Sequence, residues 1–296
     1  MAISMRIVCW NMAVTGQAGY QTALLLVPMF EGWNADAVIL VEPSDAMHRD
    51  QDVQPRGPGA AWRIVCFHQD RGLPNDKHQG RISVATRAGV AVVRDDTLYP
   101  LADQHWFRQL LILRFTKGAE SLRVATCHAP FQEGSDVVIR YARAGDDELT
   151  SWEHHRHQRV DVWMGDFNTA GVQQPHRGGQ WQVLCARPTT ARGTGNPRDK
   201  VFGNNDACAA GAVLHGAQAG RIVPQHGAAD THFPPDLVFM GWGTPADVPS
   251  DHVPVYIQTA GAPVPAAVVG AQPPRGPSLH RQMQEAMDRG RQQGNQ

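Results

Sequence analysis

Acids, amides and histidines recur at the ends of apolar runs along this chain. Asn11 follows the first run, Glu42 closes another, and His128 ends a third. Asp166 and Asn168 end a fourth run within the tetrapeptide GDFN. Asp236 opens the run DLVFM, and Asp251 and His252 stand in SDH immediately before the last run. Carboxylates and imidazoles are the side chains that move protons near neutral pH and hold metal ions, and the chain has 14 histidines. Each group alone has a plainer reading. Glu42 before Pro43 reads as a strand-end surface carboxylate, Asp166–Asn168 as a turn capped by its own side chains, and SDH as a loop. The weight lies in the ordered set WN, E, HAP, GDFN, D and SDH, spread over about 240 residues. Sheet edges pointing the same way would gather it into one cleft.

The elements that must hold these groups are short and mostly extended. Residues 5–10 (MRIVCW), 37–41 (AVILV) and 61–68 (AWRIVCFH) read as strands, and apolar spacing over 16–30 reads as a helix. Residues 81–86 and 89–93 look like one hairpin. Residues 109–115 and 121–127 look like a second, turning at Lys117-Gly118. A helix over roughly 137–157 and strands at 160–164, 236–240 and 253–258 follow, with long polar loops at 44–60 and 187–205. Strands in pairs with few helices between them are not a βαβ alternation. They suit an α+β fold with sheets packed face to face and helices outside.

Composition sets the outer bounds. Of 296 residues, 42% are apolar and 19% charged, enough for a large core and against general disorder. With 27 Lys and Arg against 28 Asp and Glu, the chain is not one that coats nucleic acid by charge alone, though one local basic rim is compatible with that balance. Gly (29) and Pro (21) point to many turns rather than a helical bundle. Five cysteines without a CxxC read as buried reduced thiols. Residues 1–11 show no conventional signal peptide, and the run 23–30 is too short for a membrane span. The expectation is a soluble, monomeric protein, cytoplasmic or exported without a conventional signal. Residues 260–277 read as a Pro/Gly-rich linker and 278–296 as a short C-terminal helix or tail, a place for a protein partner or delivery machinery to dock.

The ordered motif set resembles the endonuclease/exonuclease/phosphatase superfamily, the family of pancreatic deoxyribonuclease. GDFN and SDHVPV are its most specific pieces, and the resemblance covers about residues 5–259. It implies a four-layered α/β/β/α sandwich of two packed mixed β-sheets, with residues 1–259 as the catalytic domain. It also implies a metal-dependent hydrolase of phosphoester bonds. Glu42, with Asn11 beside it and Asp251 as a second contact, would ligate Mg²⁺, for which Mn²⁺ or Ca²⁺ substitutes; Mg²⁺ takes oxygen ligands and keeps several waters. Asn168 and His128 would bond the scissile phosphate oxygens. Asp166 would orient or deprotonate the attacking water, with His252 the other candidate base and Asp236 the partner of the His252 ring. His154, His155 and His157 form a competing zinc reading, but no second ligand pair follows at structural-zinc spacing, so they read as a solvated helix face.

Two positions depart from the family pattern. Where an acid often partners the first catalytic histidine this chain has Gly80, leaving Asp70, Asp76 or a backbone carbonyl for His128. The WCDR-like motif of inositol phosphatases is replaced by PPDLVFM. Arg108 matches a backbone-phosphate arginine of deoxyribonuclease and of the catalytic subunit of cytolethal distending toxins, and residues 127–168 also resemble that subunit. The favoured expectation is a DNA endonuclease of this type. The alternatives are a phosphoinositide or sphingolipid phosphatase or phosphodiesterase of the same superfamily, then an abasic-site nuclease, then a catalytically silent binding module. A toxin or effector role is compatible with the tail.

Overall fold

The computed structural model describes residues 5–12, 23–54, 59–68, 80–95, 111–126, 128, 161–166, 182–185, 207–211, 218–225, 237–241, 250 and 252–259. In chain order the elements are β1 (Arg6–Asn11), α1 (Ala23–Gly32), β2 (Ala37–Val41), β3 (Gln51–Val53), β4 (Trp62–His68), β5 (Arg81–Arg87), β6 (Val90–Arg94), β7 (Leu111–Lys117) and β8 (Glu120–Thr126). They continue with β9 (Val162–Asp166), β10 (Gln182–Cys185), β11 (Ala207–Gly211), β12 (Gln218–Pro224), β13 (Leu237–Phe239) and β14 (Val255–Gln258).

The strands form two mixed sheets. One has eight strands in the order β13-β12-β14-β1-β2-β5-β4-β3, and the other six in the order β10-β11-β9-β8-β7-β6. Each contains parallel pairs, β1 with β2 and β12 with β13 in the first, β8 with β9 in the second. Period-2 alternation explains how β1 serves two cores. Ile7 and Cys9 join Ile39, Val84, Leu113, Phe115, Val124 and Met164 in the layer between the sheets. Val8 and Trp10 face the other way and pack with Leu26, Phe30 and Trp33 of α1 and its C-terminal turn. Both faces of β1 and β2 are covered, which is why these strands read as continuous apolar runs. α1 ends where Asn34 enters the left-handed region at φ 51°, and Ala35 N–H returns to the Phe30 carbonyl at 3.1 Å. Asp36 then ties the layers together. Its carboxylate accepts Arg6 N–H from the first sheet and Lys117 Nζ from the second, both at 2.8 Å.

The expected strands at 5–10, 37–41, 61–68, 160–164, 236–240 and 253–258 are present within one or two residues, and so is the hairpin at Lys117-Gly118. The expected hairpin of 81–86 with 89–93 is not. β5 has both edges occupied, by β2 and by β4, so no edge remains for β6. The chain turns at Gly89 (φ 89°) and β6 pairs with β7 in the other sheet. The polar loop 44–60 contains β3, and β10, β11 and β12 were not anticipated. The helix at 137–157 and the segments 260–277 and 278–296 lie outside the described residues, as does any helical layer beyond the second sheet. Among the described residues Cys9, buried, and Cys66, half-buried, stand outside any disulfide. No helix among the described residues is long and apolar enough to cross a membrane.

Candidate active site

Strand direction brings the candidate residues to one edge. β1 and β2 run parallel, so Asn11 and Glu42 leave the first sheet together. β14 runs antiparallel to β1, so His252, just before it, arrives at the same edge. In the second sheet β8 and β9 run parallel, and beyond β8 His128 forms an isolated parallel bridge with Asp166.

The centre of the cluster is the His128 imidazole. Its Nδ1 lies 3.5 Å from Glu42 Oε1, and its Nε2 lies 3.8 Å from Asp166 Oδ2. Asn11 Nδ2 donates to that same Asp166 oxygen. Asn11, His128 and Asp166 are all buried, the last to 1% exposure. Two carboxylates withdrawn from water around one ring need compensating positive charge. A bound cation would supply it. Among the described residues Glu42 and Asp166 flank His128. Asp70 and Asp76 lie outside them.

Glu42 is held in an unusual conformation. Its φ of 50° is left-handed for a non-glycine residue, and it precedes Pro43, a position that disfavours helical angles. Such a conformation costs on the order of 1–3 kcal/mol and persists only where surroundings impose it. Here Glu42 N–H reaches the Arg81 carbonyl at 3.3 Å, and Pro43 and Ser44 are buried. The turn aims the carboxylate at His128 instead of continuing the strand.

Ser250 was not among the expected site residues, yet it docks the SDH loop. Its hydroxyl donates to the Asn11 carbonyl at 2.7 Å and accepts the His252 N–H at 3.1 Å. Trp10 Nε1 donates to the His252 carbonyl at 2.8 Å. Both stand inside the motifs, Ser250 as the first letter of SDH and Trp10 as the first of WN, beside residues whose types point more directly to chemistry. Asn168, Asp236, Asp251 and Arg108 lie outside the described residues, as do His154, His155 and His157.

The donor set fits a hard divalent cation better than a soft one. Carboxylate and amide oxygens of Glu42, Asp166 and Asn11 are the available groups, and Mg²⁺ requires only one or two carboxylates besides water. Among the described residues no cluster of three or more His, Cys, Asp or Glu side chains forms a ready cage.

The sequence matches no family model and no curated protein. Solved structures do match in fold. AP endonuclease LMAP from Leishmania major aligns with TM-score 0.52 at 12% identity, over 88% of each chain. An endonuclease/exonuclease/phosphatase family protein from Bacteroides thetaiotaomicron aligns with TM-score 0.52 at 13% identity, over 86% of this chain and 94% of that one. TDP2 from C. elegans aligns with TM-score 0.51 at 13% identity, over 86% and 75%. Two mixed sheets whose strand ends carry Asn11, Glu42, His128, Asp166 and His252 thus share their fold with these solved structures.

Proposed function

We propose that the protein is a metal-dependent phosphodiesterase that hydrolyses the backbone of nucleic acid, acting as a DNA endonuclease. The observation that carries this reading is His128 set between Glu42 and Asp166, with Asn11 on the same carboxylate. Hydrolysis of a phosphodiester needs an activated water and fixed charge for the developing phosphorane-like state. Asp166, fixed as an acceptor by Asn11, orients the water, and either Asp166 or His252 takes its proton. Asp236 would hold the tautomer of His252. His128 and Asn168 would donate to the non-bridging oxygens, and Arg108 would hold a flanking phosphate. Glu42, Asn11 and Asp251 would hold Mg²⁺, which when bound supplies positive charge to the phosphate and leaving oxygen. The nuclease names of the fold's neighbours favour nucleic acid over lipid headgroups. The same reading includes a helical layer on the outer face of the second sheet, completing a four-layered sandwich.

The test is supercoiled plasmid with the purified protein, with Mg²⁺ and with EDTA. Nicking that requires metal, and that falls at least about a hundredfold in His252→Ala and in Asp166→Asn, is the expected result. pH–rate profiles of the two variants identify the base, whose loss removes the acidic limb. Full nicking by both variants overturns the site. Phosphate release from phosphoinositides without nicking moves the substrate to the lipid branch.

A further inference from the structure

A second histidine cluster lies beside the active edge and is unused by the chemistry above. His48, in the turn after Glu42, sets its Nε2 3.0 Å from His68 Nε2 at the end of β4. The two rings are perpendicular, with centroids 4.5 Å apart. Two imidazole nitrogens at that separation are close enough to share one metal ion at the Zn–N length of about 2.0–2.1 Å. In the absence of metal the same two nitrogens share a proton as a hydrogen bond.

The surroundings are those of a metal-ligating histidine. His48 Nδ1 contacts Ser83 Oγ at 3.1 Å, and when Nδ1–H donates to that hydroxyl Nε2 is left as the ligating atom. Ser83 Oγ in turn lies 3.6 Å from Cys66 Sγ, and Asp50 accepts the Cys66 N–H at 2.8 Å. The turn is braced by His48 N–H on the Ser44 carbonyl at 2.8 Å and by the Asp45–Arg81 ion pair.

We propose that His48 and His68 form a binding site for a zinc-class transition-metal ion, separate from the oxygen-ligand site at Glu42. Imidazole nitrogens select Zn²⁺, Cu²⁺ or Ni²⁺ over Mg²⁺. Two protein ligands leave the remaining positions to water or to a substrate oxygen. The site adjoins the active edge: His68 pairs in register with Arg81, whose carbonyl receives the Glu42 N–H.

The test titrates the full chain, stripped of metal and then held in excess Mg²⁺, with Co²⁺ and with Zn²⁺. Co²⁺ is read by its visible absorption and Zn²⁺ by calorimetry. The expected result is one equivalent of binding that weakens at least tenfold in His48→Gln and in His68→Ala, and about tenfold in Ser83→Ala, as an outer-shell partner does. Glu42→Gln leaves it intact. His68 is exposed, so His68→Ala retains the fold and keeps the test informative if His48→Gln does not. Titrations unchanged in His68→Ala, loss in Glu42→Gln alone, or no binding by the unaltered protein at about 100 μM metal each overturns the site.

Discussion

Ser250→Ala removes one oxygen atom and should be felt in both stability and turnover. The hydroxyl is buried, at 2% exposure, and bridges the Asn11 carbonyl and the His252 N–H. Each bond is worth about 0.5–1.5 kcal/mol net, so their loss costs about 1–3 kcal/mol. For a chain of this size each kcal/mol lowers the melting temperature by roughly 2–4 °C, giving a fall of about 2–12 °C. The catalytic consequence is larger than the energetic one. Without the bridge the SDH loop no longer sits in register against β1, and a displacement of about 1 Å at a catalytic group costs about a hundredfold in rate. Plasmid nicking measured over a range of substrate concentrations should show kcat reduced about a hundredfold with KM little changed, while scanning calorimetry reports the melting shift. A variant that melts lower but keeps its kcat would show that Ser250 is only a strut, and the claim that this hydroxyl positions His252 would fail.

Three other outcomes follow from the same structure. Glu42→Gln should raise the Mg²⁺ concentration needed for half-maximal nicking by at least about tenfold, since it removes the carboxylate charge beside His128; an unchanged metal titration would place the cation elsewhere. Asp36→Ala should lower stability by about 2 kcal/mol in denaturant unfolding, because Arg6 N–H and the Lys117 ammonium lose their shared acceptor; Lys117→Met should recover only part of that loss. Gly32→Ala should destabilise by about 1–3 kcal/mol, since the new Cβ would fall 2.5 Å from Cε2 of Phe239. That ring packs edge-on against Trp33, and a Cβ added at Gly241 would also fall 2.5 Å from it, so it has little room to yield; melting within 1 °C of the unaltered protein would refute the packing argument.

Legibility differed from element to element for physical reasons. β2 was readable to the residue because it is apolar on both faces and stops at Glu42-Pro43, where the chain cannot continue as strand. The β7–β8 hairpin was readable because Gly118, at φ 60°, marks its turn. β11 (ACAAG) was not, since small residues carry neither periodicity nor branched side chains. β3 was hidden because a three-residue polar edge strand resembles a loop. Of the site, the acids, amides and histidines of WN, E, HAP, GDFN and SDH stood out because their chemistry is written in their type. Ser250 and Trp10 did not, because a hydroxyl and an indole become informative only once their partners are known.

Local chemistry by itself determined that the chain builds many short strands, and which polar group stands at the end of each. Those properties follow from side-chain periodicity, branching and turn residues, all of which act over a few positions. Only the tertiary structure decided that β5 and β6 part into different sheets, because that depends on which strand edges remain open. It also decided that Glu42 and Asp166 meet at His128, and that His48 meets His68. Those contacts arise from parallel pairing and sheet-on-sheet packing between residues far apart in the chain, a register that no local pattern encodes.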